Sequence, residues 1–138
     1  MPADAAPAFC DTNILLYRFM DDPKSYISKV LMAESFAISV QVLNEFANVA
    51  RRKLRVDWNE INTRLILVRA LASSIYPITL ENHALGLHFA ERYQLAVHDS
   101  MVVASALLAG CDTLYSEDMQ HGMVIEGRLT IRNPFIAA

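Results

Sequence analysis

Four carboxylates stand where this 138-residue sequence changes from one kind of segment to another. In "PAFCDTNILLYRF" (residues 7–19) an apolar run stops at Asp11, Thr12 and Asn13 before apolar character resumes. Glu45 lies in "SVQVLNEF", Asp99 heads the very apolar "DSMVVASALLA", and Asp118 sits in the turn-like "SEDMQHG". Each has an ordinary explanation: a helix cap for Asp11 and Asp99, a solvated face for Glu45, a turn residue for Asp118. All four lie near the ends of segments that an α/β fold brings to one rim. Like charges near 4 Å cost about 4 kcal/mol at an effective dielectric of about 20, so converging carboxylates call for a bound cation. Oxygen ligands with no histidine or thiolate in matching positions point to Mg²⁺ or Mn²⁺. Such ions activate water and neutralise charge on a phosphoryl group, which is the chemistry of phosphodiester hydrolysis.

Other residues fall into supporting roles. Thr12, Asn13 and Ser116 have short polar side chains able to orient the acidic ligands, and equally able to form local turns. Gln41, Glu45, Asn48 and Arg52 recur along one helical stripe, opposite a core face of Leu43, Phe46, Ala47, Ala50 and Leu54. From Arg51 to Arg69 there are six basic residues against two acidic ones, Asp57 and Glu60, although the formal net charge is -3. We expect Asn48, Arg51, Arg52, Lys53 and Arg55 to lead a phosphodiester backbone toward the carboxylates, the ordinary alternative being a solvated helix end that favours positive charge. His83 and His88 are five apart and share no helical face, so no zinc site is expected. His98 and His121 flank Asp99 and Asp118 and stay outside the catalytic set. Cys10 and Cys111 lie in separate apolar runs and are expected as buried thiols.

The elements that must hold these side chains alternate between strand-like and helix-like. "AFC", "FAIS", "IYPITL", "DTLY" and "LTIRN" read as strands, with Pro77 suiting an edge position. Residues 21–34 read as a helix with Asp22 at the N-cap and Pro23 first inside. A second helix covers residues 40–54 behind Ser39, and a third starts near Trp58, where Asp57 and Glu60 form a capping-box pair. Helices over residues 80–94 and 99–109 follow, the latter stopped by Gly110. This alternation predicts a single-domain α/β sandwich with a mostly parallel central sheet flanked by helices, over residues 1–138, with 1–7 a flexible tail. In such sheets the ligand crevice lies beyond the carboxyl ends of the strands, which is where Asp11 falls.

Composition narrows the class. With 54% hydrophobic residues the chain can build a packed core, and it has no apolar stretch of membrane-spanning length and no secretory signal. A cytoplasmic protein is expected. So much apolar residue in a short chain also predicts that another copy covers part of the surface. The stretches "ILLYRF" and "YISKVLMA" are candidate docking surfaces for a partner segment.

Taken together, "FCDTNILLY", "SVQVLNEF" and "HDSMVVASALLAGCDTLYSED", in that order, resemble the PIN-domain family, especially the VapC-like ribonuclease toxins of prokaryotic toxin–antitoxin pairs. The resemblance runs over nearly the whole chain. It places the family's four acidic positions on Asp11, Glu45, Asp99 and Asp118, with Ser116 as the hydroxyl of the last motif. It implies a PIN-like three-layer sandwich, Mg²⁺-dependent endoribonuclease activity, a homodimer and neutralisation by a cognate antitoxin. Two departures stand out. Glu117 beside Asp118 offers two acids for one position, and "MQHG" replaces the apolar ending of many members, leaving His121 without a role.

Rival readings are an aspartyl phosphotransfer enzyme, which wants an acid where Asn13 stands, and a receiver-like domain, which wants an acidic pair after the first strand and a late lysine. From another class comes a non-catalytic nucleic-acid or protein binding module whose acidic site is only cation-stabilised. The complete set of four carboxylates favours the enzyme.

Overall fold

The computed structural model describes residues 6–136. Most of the tail expected over residues 1–7 therefore lies outside the described residues. The expected α/β sandwich is found. Its strands are β1 (Ala8–Cys10), β2 (Phe36–Ser39), β3 (Ser74–Tyr76), β4 (Thr113–Tyr115), β5 (Val124–Ile125) and β6 (Leu129–Arg132), in one sheet ordered β3-β2-β1-β4-β6-β5. Every pairing is parallel except that of β5 with β6. The helices are α1 (Thr12–Tyr17), α2 (Lys24–Met32), α3 (Val40–Arg52), α4 (Trp58–Leu71), α5 (Leu80–Tyr93) and α6 (Val97–Leu108).

Strand order decides where chemistry can happen. From β1 the chain moves outward to β2 and β3, then returns to place β4 on the other side of β1. The order thus reverses between β1 and β4, and the crevice of an open α/β sheet opens at such a switch point, beyond the strands' carboxyl ends. Asp11 directly follows β1, and Ser116 directly follows β4. Cys10 pairs with Tyr115, and the Asp11 N–H donates to the Tyr115 carbonyl at 2.9 Å, so the two strand exits are locked in step.

Central β2 is buried along its whole length and carries no alternation, whereas β4 and β6 alternate buried with less buried residues. Phe9, Ile38, Leu114 and Ile131 are all fully buried. Helix α6 is buried along eight successive residues, Ser100 to Leu107, because β2 and β4 press on one side and α5 on the other. Gly86 permits that approach of α5: a Cβ there would stand 2.5 Å from the Met101 sulfur. Asp99 is carried on the solvent end of this immobile helix.

Several boundaries differ from expectation, each for a local reason. Pro23 is the N-cap of α2 rather than its first residue, while Asp22 still caps by accepting the Lys24 N–H at 2.8 Å. Ser39 and Asp57 cap α3 and α4 as expected, accepting from Val42 N and Glu60 N. Helix α3 ends at Arg52, which leaves Leu54 exposed, and Val42 rather than Leu43 joins Phe46 and Ala50 in the core. Helix α6 starts at Val97 and has Ala96 as its N-cap, so Asp99 is a first-turn residue and not the cap. Helix α1 and the hairpin strand β5 have six and two residues, too short to show periodicity. The β5–β6 turn places Glu126 and Gly127 at φ 52° and 67°, the two left-handed positions of a hairpin turn.

Candidate active site

Asp11 leaves β1 and becomes the N-cap of α1, its Oδ1 accepting the Thr12 N–H at 2.7 Å. Its other oxygen, Oδ2, accepts from the Ser116 hydroxyl at 3.0 Å, across the β1–β4 step. Both groups are buried. The cap reading of Asp11 is thus correct and incomplete, because a side chain from the end of a different strand holds the same carboxylate. Burial pushes its pKa up, the two hydrogen bonds pull it down, and the Asp99 charge raises it further.

Asp99 lies within electrostatic reach of the other three. Its carboxyl is pushed up first by burial and then by the charges of Asp118 and Glu45, with His98 opposing. Asp118 is exposed in the turn after β4 and accepts a 3.0 Å hydrogen bond from the Asn13 side-chain amide. Glu45 projects from the second turn of α3, which Ser39 starts where β2 ends. Asp11, Glu45 and Asp118, from the end of β1, from α3 and from the turn after β4, therefore each lie within reach of the Asp99 charge on α6. Among the described residues no three His, Cys, Asp or Glu side chains close into a ready-made chelate. The donor set is nevertheless all oxygen and mutually repelling. That suits a hard cation such as Mg²⁺, which keeps several of its own waters and does not need a tight protein cage.

The supporting residues sort differently. Ser116 and Asn13 each bond one of the four acids. Thr12 serves Asp11 through its backbone N–H, while its buried Oγ1 has no hydrogen-bond partner. Glu117 is otherwise engaged: its Oε1 accepts from the Tyr17 hydroxyl at 2.8 Å, and its Oε2 forms an ion pair with Lys24. Between the two neighbouring acids, Asp118 is the one whose charge acts on Asp99.

In the basic segment Lys53 lines a cavity of about 300 Å³ between α1 and α3 that ends at Glu45 and Asp118. Arg51 belongs to the α3–α4 turn, stacking 5.5 Å from the Trp58 ring centre and donating to the Val56 carbonyl at 3.3 Å. Arg55 sits in that turn with φ 57°. Asn48 and Arg52 are exposed on α3.

His98 is the residue that sequence reasoning left outside. Its Nδ1 lies 3.0 Å from the Gln41 amide nitrogen, and its Nε2 lies 3.8 Å from Glu45 Oε1. The one available signal was adjacency to Asp99; its pairing with α3 spans 57 residues of chain. His121 has a structural task, its Nδ1 accepting the Asn133 N–H at 2.9 Å. Cys10 and Cys111 are free and buried, with burial pushing the Cys111 thiol up to about 11 and Cys10 higher still, so both stay protonated.

A profile of the PIN domain matches residues 8–122, a span that holds all four carboxylates. The chain belongs to the PIN domain family. Compared by sequence with curated proteins, it has no significant match. Solved structures share its fold. A chain of a toxin–antitoxin complex from Klebsiella pneumoniae superposes with a TM-score of 0.70 at 20% identity, covering 93% of this chain and 98% of that one. VapBC2 from Rickettsia felis, bound to a DNA fragment from its promoter, gives 0.66 at 19% identity over 91% and 97%. The sarcin-ricin loop cleaving toxin VapC20 of Mycobacterium tuberculosis gives 0.63 at 15% identity over 80% and 89%. At these identities the likeness is one of fold. Among the described residues no helix of this PIN domain is long and apolar enough to cross a membrane.

Proposed function

We propose that this PIN domain is a metal-dependent endoribonuclease, using Mg²⁺ or Mn²⁺, and the toxin of a toxin–antitoxin pair. The observation that carries the reading is that Asp99, fixed on a buried helix, lies within reach of the charges of Asp11, Glu45 and Asp118 at the sheet's switch point. When bound, the ion supplies positive charge for a phosphodiester group and lowers the cost of ionising water. Asp11, Asp99, Asp118 and Glu45 would hold it. Ser116 and Asn13 orient Asp11 and Asp118 through the hydrogen bonds they donate. Lys53, at the far end of the same cavity, and the exposed Arg52 offer charge to the phosphates on either side of the scissile bond.

The partners follow from the same reading. That the structural neighbours include toxin–antitoxin complexes supports a cognate antitoxin for this chain. Exposed large apolar residues, among them Leu80 (82%), Ile66 (64%) and Trp58 (54%), support a homodimer. The protein would work in the cytoplasm, where its RNA is.

A second reading, a non-catalytic module with a cation-stabilised acidic site, draws on the absence of a ready-made chelate among the described residues. One experiment separates the two: incubation of purified protein with mixed RNA, with Mg²⁺, with Mn²⁺ and with chelator. Cleavage that requires the ion and disappears in Asp11→Asn supports the enzyme. Metal binding without cleavage supports the module.

A further inference from the structure

The turn that carries Asp118 is held in an unusual way. Its two ends are tied through backbone, Ser116 N–H to the Arg132 carbonyl at 3.0 Å and Gly122 N–H to the Ile131 carbonyl at 2.7 Å. Between those ties, Glu117 and Asp118 are attached by side chains, both to the same face of α1. Asn13 and Tyr17, one helical turn apart, bond Asp118 and Glu117 respectively, at 3.0 and 2.8 Å. From the start of α2, Lys24 completes the grip. It pairs with Glu117 Oε2 and donates to the Tyr17 hydroxyl at 3.3 Å. Its ammonium lies 4.9 Å from the Tyr17 ring centre and 5.5 Å from that of Phe135, and these two rings meet edge to face at 5.1 Å. Two separate parts of the chain, α1 and the start of α2, thus converge on one glutamate, with Phe135 packed behind them.

We infer that Lys24 and Tyr17, acting through Glu117, form a positioning clamp that presents Asp118 to the acidic rim. The inference rests on the proposed cation site. Its physical basis is twofold. A free Glu117 would add a fifth negative charge beside carboxylates that already repel, and Lys24 neutralises it and holds it against Tyr17, one helical turn along α1 from Asn13. Holding Glu117 fixes the turn at the residue next to Asp118, whose carboxylate Asn13 then bonds. Groups that orient a ligand in this way commonly change metal affinity by about 10–100-fold when removed. Lys24 is a positioning residue and touches neither ion nor substrate.

The test uses Lys24→Met, Lys24→Arg and Glu117→Gln in the full chain, with Mn²⁺ as the probe. Expected for Lys24→Met is a Mn²⁺ affinity, by titration calorimetry, about tenfold weaker than the parent's. The half-saturating Mg²⁺ for RNA cleavage should rise by the same factor, while the rate at saturating Mg²⁺ stays within about twofold. Glu117→Gln should show the same loss of affinity, and Lys24→Arg should recover most of it. A reading independent of metal comes from the Asn13 side-chain amide resonances, which report its bond to Asp118. They should shift in Lys24→Met and Glu117→Gln and return in Lys24→Arg. If those resonances and the Mn²⁺ affinity are unchanged in both variants, the clamp is only a surface ion pair and the inference is overturned. Should Lys24→Met melt early, Glu117→Gln alone decides by the same two readings. If the amide reporter responds but the parent neither binds Mn²⁺ nor cleaves RNA, the proposed function fails and the clamp stands.

Discussion

Replacing Asp99 with asparagine tests whether the four carboxylates act as one site. The substitution removes a charge and keeps the shape. Asp99 is half-buried, and its ionised form is disfavoured by that burial and by Asp118 and Glu45. Two unit charges about 7 Å apart repel by about 2 kcal/mol at an effective dielectric of about 20. Solvent at a half-buried carboxyl cuts that by about half. Against the relief stands a loss of about 0.3–1 kcal/mol, because an acid in the first turn of a helix is favoured by the helix dipole. Desolvation relief adds to the gain, so the metal-free variant should be more stable than the parent by about 1 kcal/mol, or about 3–4 °C in Tm. The ordering reverses with magnesium. At a concentration about a hundred times its Kd, Mg²⁺ should stabilise the parent by about 2.7 kcal/mol and the variant far less. Thermal melts with and without Mg²⁺, beside RNA cleavage, supply the whole measurement. Were Asp99 a solitary surface acid, the variant would be no more stable, its metal response would match the parent's, and cleavage would persist; that result would refute a shared site.

Further outcomes follow from the same geometry. Asp11 and Asp99 have raised native pKa values, so between the unfolded value of about 3.9 and their native values the folded state binds more protons than the unfolded one. Their contribution therefore makes metal-free protein lose stability as pH rises through that window. Melts across pH 4–7 in chelator should show a decline toward neutral that is shallower in Asp99→Asn; an identical profile in the variant would contradict it. Thr12→Val removes a buried hydroxyl that has no partner and should be neutral or stabilising by up to about 1 kcal/mol. Destabilisation by more than that in denaturant melts would mean that the hydroxyl is bonded in solution. Arg52→Ala should flatten the salt dependence of RNA binding by about one phosphate contact, whereas Arg51→Ala should leave that slope intact and lower the melting temperature, since Arg51 braces the α3–α4 turn. Sedimentation at micromolar concentration should show a dimer; a monomer would remove the homodimer from the proposal.

What the sequence determined about this protein is what short-range physics controls. Ser39 and Asp57 start α3 and α4 because a cap bonds N–H groups two or three residues away. The apolar, small-residue run from Met101 to Leu107 announced a buried helix whatever packed on it. The places of Asp11 after β1, Asp99 in the first turn of α6 and Asp118 after β4 were legible because each follows or opens an element. Only the tertiary structure decided the rest. Strand order put β1 beside β4, and that alone lets Ser116 reach Asp11 across 105 residues. The attachment of Glu117 to Lys24 and Tyr17 is likewise tertiary, since no local pattern connects them to that turn. Leu54 stays out of the core because α3 ends at Arg52, and how α3 packs puts Val42 rather than Leu43 at its buried face. His98 joined the site because α6 delivers it to Gln41 and Glu45 on α3. Contacts between residues distant in the chain are settled by how whole elements pack, and packing is a property of the assembled core rather than of any window of sequence.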